Sequence, residues 1–181
     1  MKKILLISNY YSSYISAGTS QRTKDFYKGL SYNGWECKIV TIRRKNTPIE
    51  DEPDKNNIFL INSFSERYPI PIYPIIKFFK LVKSSNIVHI IDHWSFLNII
   101  SIIFCLLSNT PYVYSPCGAL KPLGKNIIIK NFYNYIFLNF ILNKAKYIFA
   151  ITEKEKKEIS YLTKKKKDIK VIPNGIWVGP K

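Results

Sequence analysis

Cysteine is scarce in this sequence and poorly spaced for a metal: Cys37, Cys105 and Cys117 are far apart, odd in number and form no C-x-x-C or Cys/His cluster. That spacing closes no zinc site and fits a reduced, cytoplasmic chain. Long apolar runs are also missing. Residues 4–7, behind Lys2 and Lys3, are shorter than the roughly 7 residues that a signal-peptide core needs. The run at residues 97–107 is interrupted by Asn98 and Ser101 and falls well below the roughly 20 residues of a membrane-spanning helix. Neither secretion nor a membrane span is expected. The first loop, residues 9–22, has no G-x-G-x-x-G, only Ala17-Gly18 ahead of Thr19 and Ser20, which disfavours a dinucleotide site. Acidic residues are few as well, 12 against 28 Lys and Arg, and the resulting charge of +16 favours nucleic acid, anionic lipid or phosphorylated ligands. Lys far outnumbers Arg and Ile and Asn are abundant, so part of that charge reflects overall composition.

What is present is enough apolar material for one core. The 181 residues are 46% hydrophobic and 15% aromatic, which supports a single domain. Short apolar runs at residues 4–8, 35–42, 58–62, 87–91, 112–115, 147–151 and 169–172 read as strands buried on both faces. Between them lie helical patterns: one around Phe26, Tyr27 and Leu30 ending at Asn33-Gly34, then residues 75–82, 96–107, about 126–143, and a last one to about Leu162. The last opens on a Thr152/Glu155 capping box. Residues 47–57 and the proline-broken stretch 68–74 read as loops. Strands alternating with helices predict an α/β fold, a Rossmann-like parallel sheet flanked by helices, with right-handed crossovers.

In such a sheet, ligands bind beyond the carboxyl ends of the strands. Four loops there are of interest. The small-residue turn at Ala17-Gly18, opening a helix, is either a tight turn or a phosphate cradle of backbone N–H groups. The strand exit at Ile91-Asp92-His93-Trp94 would turn a carboxylate and an imidazole toward the cleft, where Asp92 and His93 could contact a hydroxyl or a developing charge. His89, within the strand, reads as a core residue. In Ser115-Pro116-Cys117-Gly118, the glycine permits close backbone approach, and Cys117 lacks an adjacent base for nucleophilic chemistry. Thr152-Glu153 is explained by capping. The segment 121–146 interleaves Lys121, Lys125, Lys130, Lys144 and Lys146 with Phe132, Tyr133, Tyr135, Phe137 and Phe140. It suits a core helix with snorkelling lysines, an anionic membrane surface or, less well, a nucleic-acid groove.

Together these residues resemble the amino-terminal domain of the family 4 glycosyltransferases, retaining enzymes of the GT-B fold. The match runs in order through the opening Lys3-Ile4-Leu5-Leu6, Ala17-Gly18, Val88-His89, Pro111 to Gly118, Ala150-Ile151-Thr152-Glu153 and the closing Ile172-Pro173-Asn174-Gly175-Ile176. The resemblance implies a domain over residues 1–176, which is the acceptor-side half of a GT-B architecture. Residues 177–181 would open a linker, with the donor-binding domain and its Glu-x7-Glu motif absent, so the chain would be a truncated half, inactive by itself or nearly so. It implies that Gly18 and Thr19, with Cys117 and Gly118, lie near the donor diphosphate, and that His93 takes the role of a sugar-facing histidine. The usual second glycine is Ala17 here, and Cys117 stands where the family often has His or Arg.

The implied partners are a nucleotide-sugar donor, which is a substrate and not a cofactor, and a saccharide or lipid-linked acceptor. A separate donor-domain chain and an anionic membrane surface are further partners to expect, nucleic acid is disfavoured, and no metal is expected. The role would be in surface polysaccharide or glycolipid synthesis, in the cytoplasm or at the inner face of the cell membrane. The competing possibility is a non-catalytic basic module on an anionic membrane.

Overall fold

Apolar runs bounded by turns become the strands of one sheet. The structure, a computed structural model, describes residues 2–11, 18–43, 55–64, 69–122, 124, 126–163 and 167–175. Its strands are β1 (Lys3–Ser8), β2 (Glu36–Ile42), β3 (Ile58–Ser63), β4 (Pro71–Tyr73), β5 (Ile87–Ile91), β6 (Tyr112–Ser115), β7 (Tyr147–Ala150) and β8 (Ile169–Val171). The helices are α1 (Gly18–Tyr32), α2 (Ile75–Lys83), α3 (Phe96–Leu107), α4 (Ile127–Tyr133), α5 (Asn139–Lys144) and α6 (Glu153–Leu162). The sheet order is β4-β3-β2-β1-β5-β6-β7-β8, parallel throughout except for the β3/β4 pair.

Both faces of the sheet are covered, as near-continuous apolar strands require. Along β1, Ile4 and Leu6 pack with Tyr27, Cys37 and Ile39 into a smaller cluster on which Phe26 and Leu30 of α1 also rest. Leu5 and Ile7 point the other way, into a larger core with Phe78, Val82, Leu97 and Ile102 from α2 and α3. The alternation follows from the two-residue period of a strand. Helix α1 stops at Gly34, which takes φ +80 while Trp35 N–H reaches Leu30 C=O and Gly34 N–H reaches Ser31 C=O, a Schellman ending.

Two elements differ from expectation. The proline-rich stretch contains β4, an antiparallel edge strand; a strand with a sheet neighbour on one side only tolerates prolines that cannot donate. The aromatic segment expected as one helix is interrupted between α4 and α5 by a π-helical turn at Asn134–Leu138. Met1, Ala17, Lys125 and residues 176–181 lie outside the described residues.

Candidate functional site

The strand order reverses at β1, whose two neighbours are β2 and β5. Helix α1, which follows β1, packs on the smaller cluster and α3, which follows β5, on the larger one, so the switch point lies between elements on opposite faces, where doubly wound sheets bind ligands. Asn9 follows β1 and Asp92 follows β5, and the Asn9 N–H donates to Asp92 Oδ2 at 3.0 Å. Asn98 Nδ2 donates to Asp92 Oδ1 at 3.0 Å and to the Asp92 carbonyl at 3.2 Å. Asp92 is 7% exposed, and burial pushes its carboxyl up to about 7 against the opposing effect of those two hydrogen bonds. The backbone here is strained: Asp92 has φ 91 and Trp94 has φ 44, in a region that side-chain-bearing residues rarely adopt.

His93, between them, turns away from Asp92. Its Nε2 lies 2.8 Å from Asn134 Oδ1, and its Nδ1 is hydrogen-bonded to the Tyr114 hydroxyl. Asn134 Nδ2 donates to Leu120 C=O at 2.9 Å, so its Oδ1 is the acceptor and His93 Nε2 carries the proton. Nδ1 then accepts from Tyr114 O–H. The result is a directed chain, Tyr114 to His93 to Asn134 to Leu120, that links the ends of β5 and β6 to the π-helical turn. Such turns recur at functional positions, and this one begins at the residue that orients the imidazole. Burial lowers the His93 pKa to about 4, despite the Asn134 contact, so the ring is neutral at ordinary pH. Trp94 and Tyr133 enclose it, with ring centroids 4.4 and 5.3 Å away. Asp92 and His93 therefore share a loop and do not pair with each other.

Arg22, which the sequence motifs did not mark, ties the start of the chain to its end. Its guanidinium is 4% exposed, donates from Nη1 to Asn174 Oδ1 at 2.7 Å and from Nη2 to Ile172 C=O at 3.0 Å, and lies 5.0 Å from the Phe26 ring. Burial lowers its pKa, with Cys117 and Glu155 acting in the opposite direction. Arg22 thus clamps α1 to the Pro173-Asn174-Gly175 segment after β8. A signal existed: this chain has four arginines, and one of them stands four residues after Gly18.

The remaining candidates divide. Gly18 is exposed at the start of α1, with no non-local atom of the described residues within 4 Å of where a Cβ would stand, and Thr19 follows it half-buried. Gly118, at φ +78, has its N–H taken by Glu155 Oε1 at 2.6 Å, and the other carboxylate oxygen accepts from Ile151 N–H at 2.7 Å. Glu155 therefore does more than the expected capping box. Thr152 caps Glu155 N–H at 3.1 Å, while the Glu155 carboxylate pins the loop after β6 to that after β7. Cys117 is half-buried with φ 55, and its thiol contacts Ser115 C=O at 3.3 Å. Burial pushes that thiol up to about 12, only partly offset by Arg22. His89 sits in the core, 2.8 Å from Ser115 Oγ; burial and then Arg22 depress it to about 3. Among the described residues, no group of His, Cys, Asp and Glu could hold a metal ion.

A doubly wound sheet with a polar cluster at its switch point, tied by Arg22 to the segment leaving β8, is a Rossmann-like ligand-binding architecture. The description Glycosyltransferase Family 4 matches residues 16–178, and the chain belongs to that family. Among solved structures, the chain is similar to Anabaena HepE in complex with UDP and glucose, with TM-score 0.68, 12% identity, 97% of this chain covered and 45% of that one. It is similar to an alpha-glucosyltransferase in complex with UDP, with TM-score 0.60, 12% identity and coverages of 97% and 44%. It is also similar to a sucrose-phosphate synthase structure from Thermosynechococcus elongatus, with TM-score 0.55, 16% identity and coverages of 96% and 90%. The chain spans less than half the length of the first two. No curated protein sequence matches it.

Proposed function

We propose that this chain is the acceptor-side half of a retaining glycosyltransferase that moves a sugar from a nucleotide-sugar to a saccharide or lipid-linked acceptor, in surface polysaccharide or glycolipid synthesis. The observation that carries this proposal is the reversal of strand order at β1/β5, together with the exposed Gly18 at the start of α1 and the Arg22-clamped segment after β8. The first-turn N–H groups of α1 at Gly18 and Thr19 would face the donor diphosphate, where the helix dipole favours anions. Retaining transfer of the family's kind needs no protein base, because the leaving diphosphate accepts the acceptor's proton. Asp92 and His93, whose polar atoms are committed to protein partners, suit that chemistry as positioning residues that hold the switch point. The donor-binding half would come from further sequence or from a second chain. Transfer from UDP- and GDP-sugars, measured with and without a separately supplied donor-binding half, tests this; failure to recover transfer on complementation would count against it.

Exposed Ile128 and Phe132, close in sequence to Lys130, favour residence of the same chain on an anionic membrane surface. Among the described residues no helix is long and apolar enough to cross a membrane, so the attachment would be peripheral. Vesicle flotation of the wild type against Lys121→Glu/Lys130→Glu reads it; equal flotation removes the membrane assignment.

A further inference from the structure

Beside the His93 cluster lies a cavity of about 330 Å³. That is at the low end of the roughly 300–1,000 Å³ of small-ligand pockets. Its walls include Trp94, Phe96, Ile129, Tyr133 and Ile136, and among the described residues Lys130 is the charged one in its lining. Trp94 and Tyr133 are the same rings that enclose His93, so one wall serves both the cavity and the candidate site. Lys130 Nζ is held 5.6 Å from the Trp94 ring centroid.

We infer that this cavity receives the apolar chain of an anionic lipid, whose phosphate is met by Lys130, and that the acceptor is therefore lipid-linked. The inference rests on the glycosyltransferase assignment for its meaning and goes beyond it in choosing between acceptor classes. A saccharide needs several hydrogen-bonding partners, and among the described residues a wall of Trp, Phe, Ile and Tyr faces with one lysine and one asparagine offers few. A second copy of the chain would bring another strongly basic surface against this one, since each carries a formal charge of +16. An anionic amphiphile matches both the apolar wall and the cation. Ile128 and Phe132, 84% and 64% exposed, continue the apolar surface around the cavity, where a chain longer than the cavity would emerge.

Calorimetric titration of this chain with monomeric octyl, decyl and dodecyl phosphate, below micellar concentration, tests the assignment. Affinity should rise about fourfold for each methylene withdrawn from water and then level off once the cavity is full. Ile136→Trp, which fills the cavity from a partly exposed position, should weaken dodecyl phosphate at least tenfold, and Lys130→Glu should weaken it while leaving dodecyltrimethylammonium unharmed. Inorganic phosphate alone should bind far more weakly. Equal binding of the anionic and cationic amphiphiles, or affinities within twofold of wild type in both variants, would overturn the inference. So would capture by anionic vesicles without any binding of the monomers. Because sugar-nucleotide transfer to a free saccharide is read in a separate assay, failure here is distinguishable from failure of the glycosyltransferase assignment.

Discussion

Asp92 and Asn9 meet at 3.0 Å across the ends of β5 and β1, although 83 residues separate them in sequence. The bond fixes the two loops that diverge at the switch point, and it does so with a buried carboxylate. Its protonation therefore belongs to the folding equilibrium.

Folded Asp92 holds its proton up to about 7 instead of 3.8, so its contribution to stability is present at low pH and is lost as pH rises through about 7. His93 and His89 act in the opposite sense: with folded values of about 4 and 3 against 6.5, their contributions are present above 6.5 and are lost as pH falls. From these three groups, unfolding near pH 5 takes up about one proton net in the wild type and about two in Asp92→Asn. Urea midpoints measured across pH 4.5–6.5 should show the variant's slope to be about twice that of the wild type. Parallel pH profiles would mean that Asp92 does not titrate there.

The imidazole chain predicts coupling between distant substitutions. Tyr114→Phe strands His93 Nδ1, and Asn134→Leu strands Nε2–H, each at a cost of about 1–3 kcal/mol. Because both act through one ring, the double variant should cost less or more than the sum by at least about 0.5 kcal/mol. Chemical denaturation of the four proteins measures this, and strict additivity would show that the two contacts are independent.

Asn174→Ala removes the partner of a buried guanidinium and should cost about 1–3 kcal/mol. Arg22→Lys keeps the charge but not the two-pronged geometry. In both variants amide exchange at Ile172, Asn174 and Gly175 should speed up while that of β1 is unchanged. Unaltered exchange in that segment would show that Arg22 does not hold it.

Cys117 should resist alkylation in the folded chain. A thiol pushed up to about 12 carries almost no thiolate at pH 8, and Cys37 and Cys105 are buried. Iodoacetamide labelling followed by mass spectrometry should find little modification at any of the three until denaturant is added. Rapid labelling at Cys117 would instead mark an activated thiol.

Much of the fold was legible because buried parallel strands declare themselves as short apolar runs. β5 and β6 fall at the expected residues, and β1 and β2 within one residue. β4 was hidden by its prolines, and the π-helical turn has no periodicity of its own among aromatic residues that suit an uninterrupted helix. The candidate site was legible only in part. Strand exits located Asp92, His93 and Cys117, but what those side chains do depends on Asn9, Asn98, Arg22, Asn134 and Glu155. Their decisive contacts often cross long sequence separations, 152 residues for Arg22 with Asn174 and 41 for His93 with Asn134, and local pattern carries no trace of them.

The proposed diphosphate position at the start of α1 separates stability from activity. Gly18→Asp meets no neighbour among the described residues, and a carboxylate in the first turn of a helix stabilises it by about 0.3–1 kcal/mol. The same negative charge would repel a diphosphate. The decisive measurement is the kcat/KM for sugar transfer from UDP-glucose by Gly18→Asp and wild-type chains, each combined with a donor-binding half. The expected result is a fall of about tenfold or more with thermal stability unchanged or raised; kcat/KM within twofold of wild type would contradict a donor diphosphate at the β1/β5 switch point.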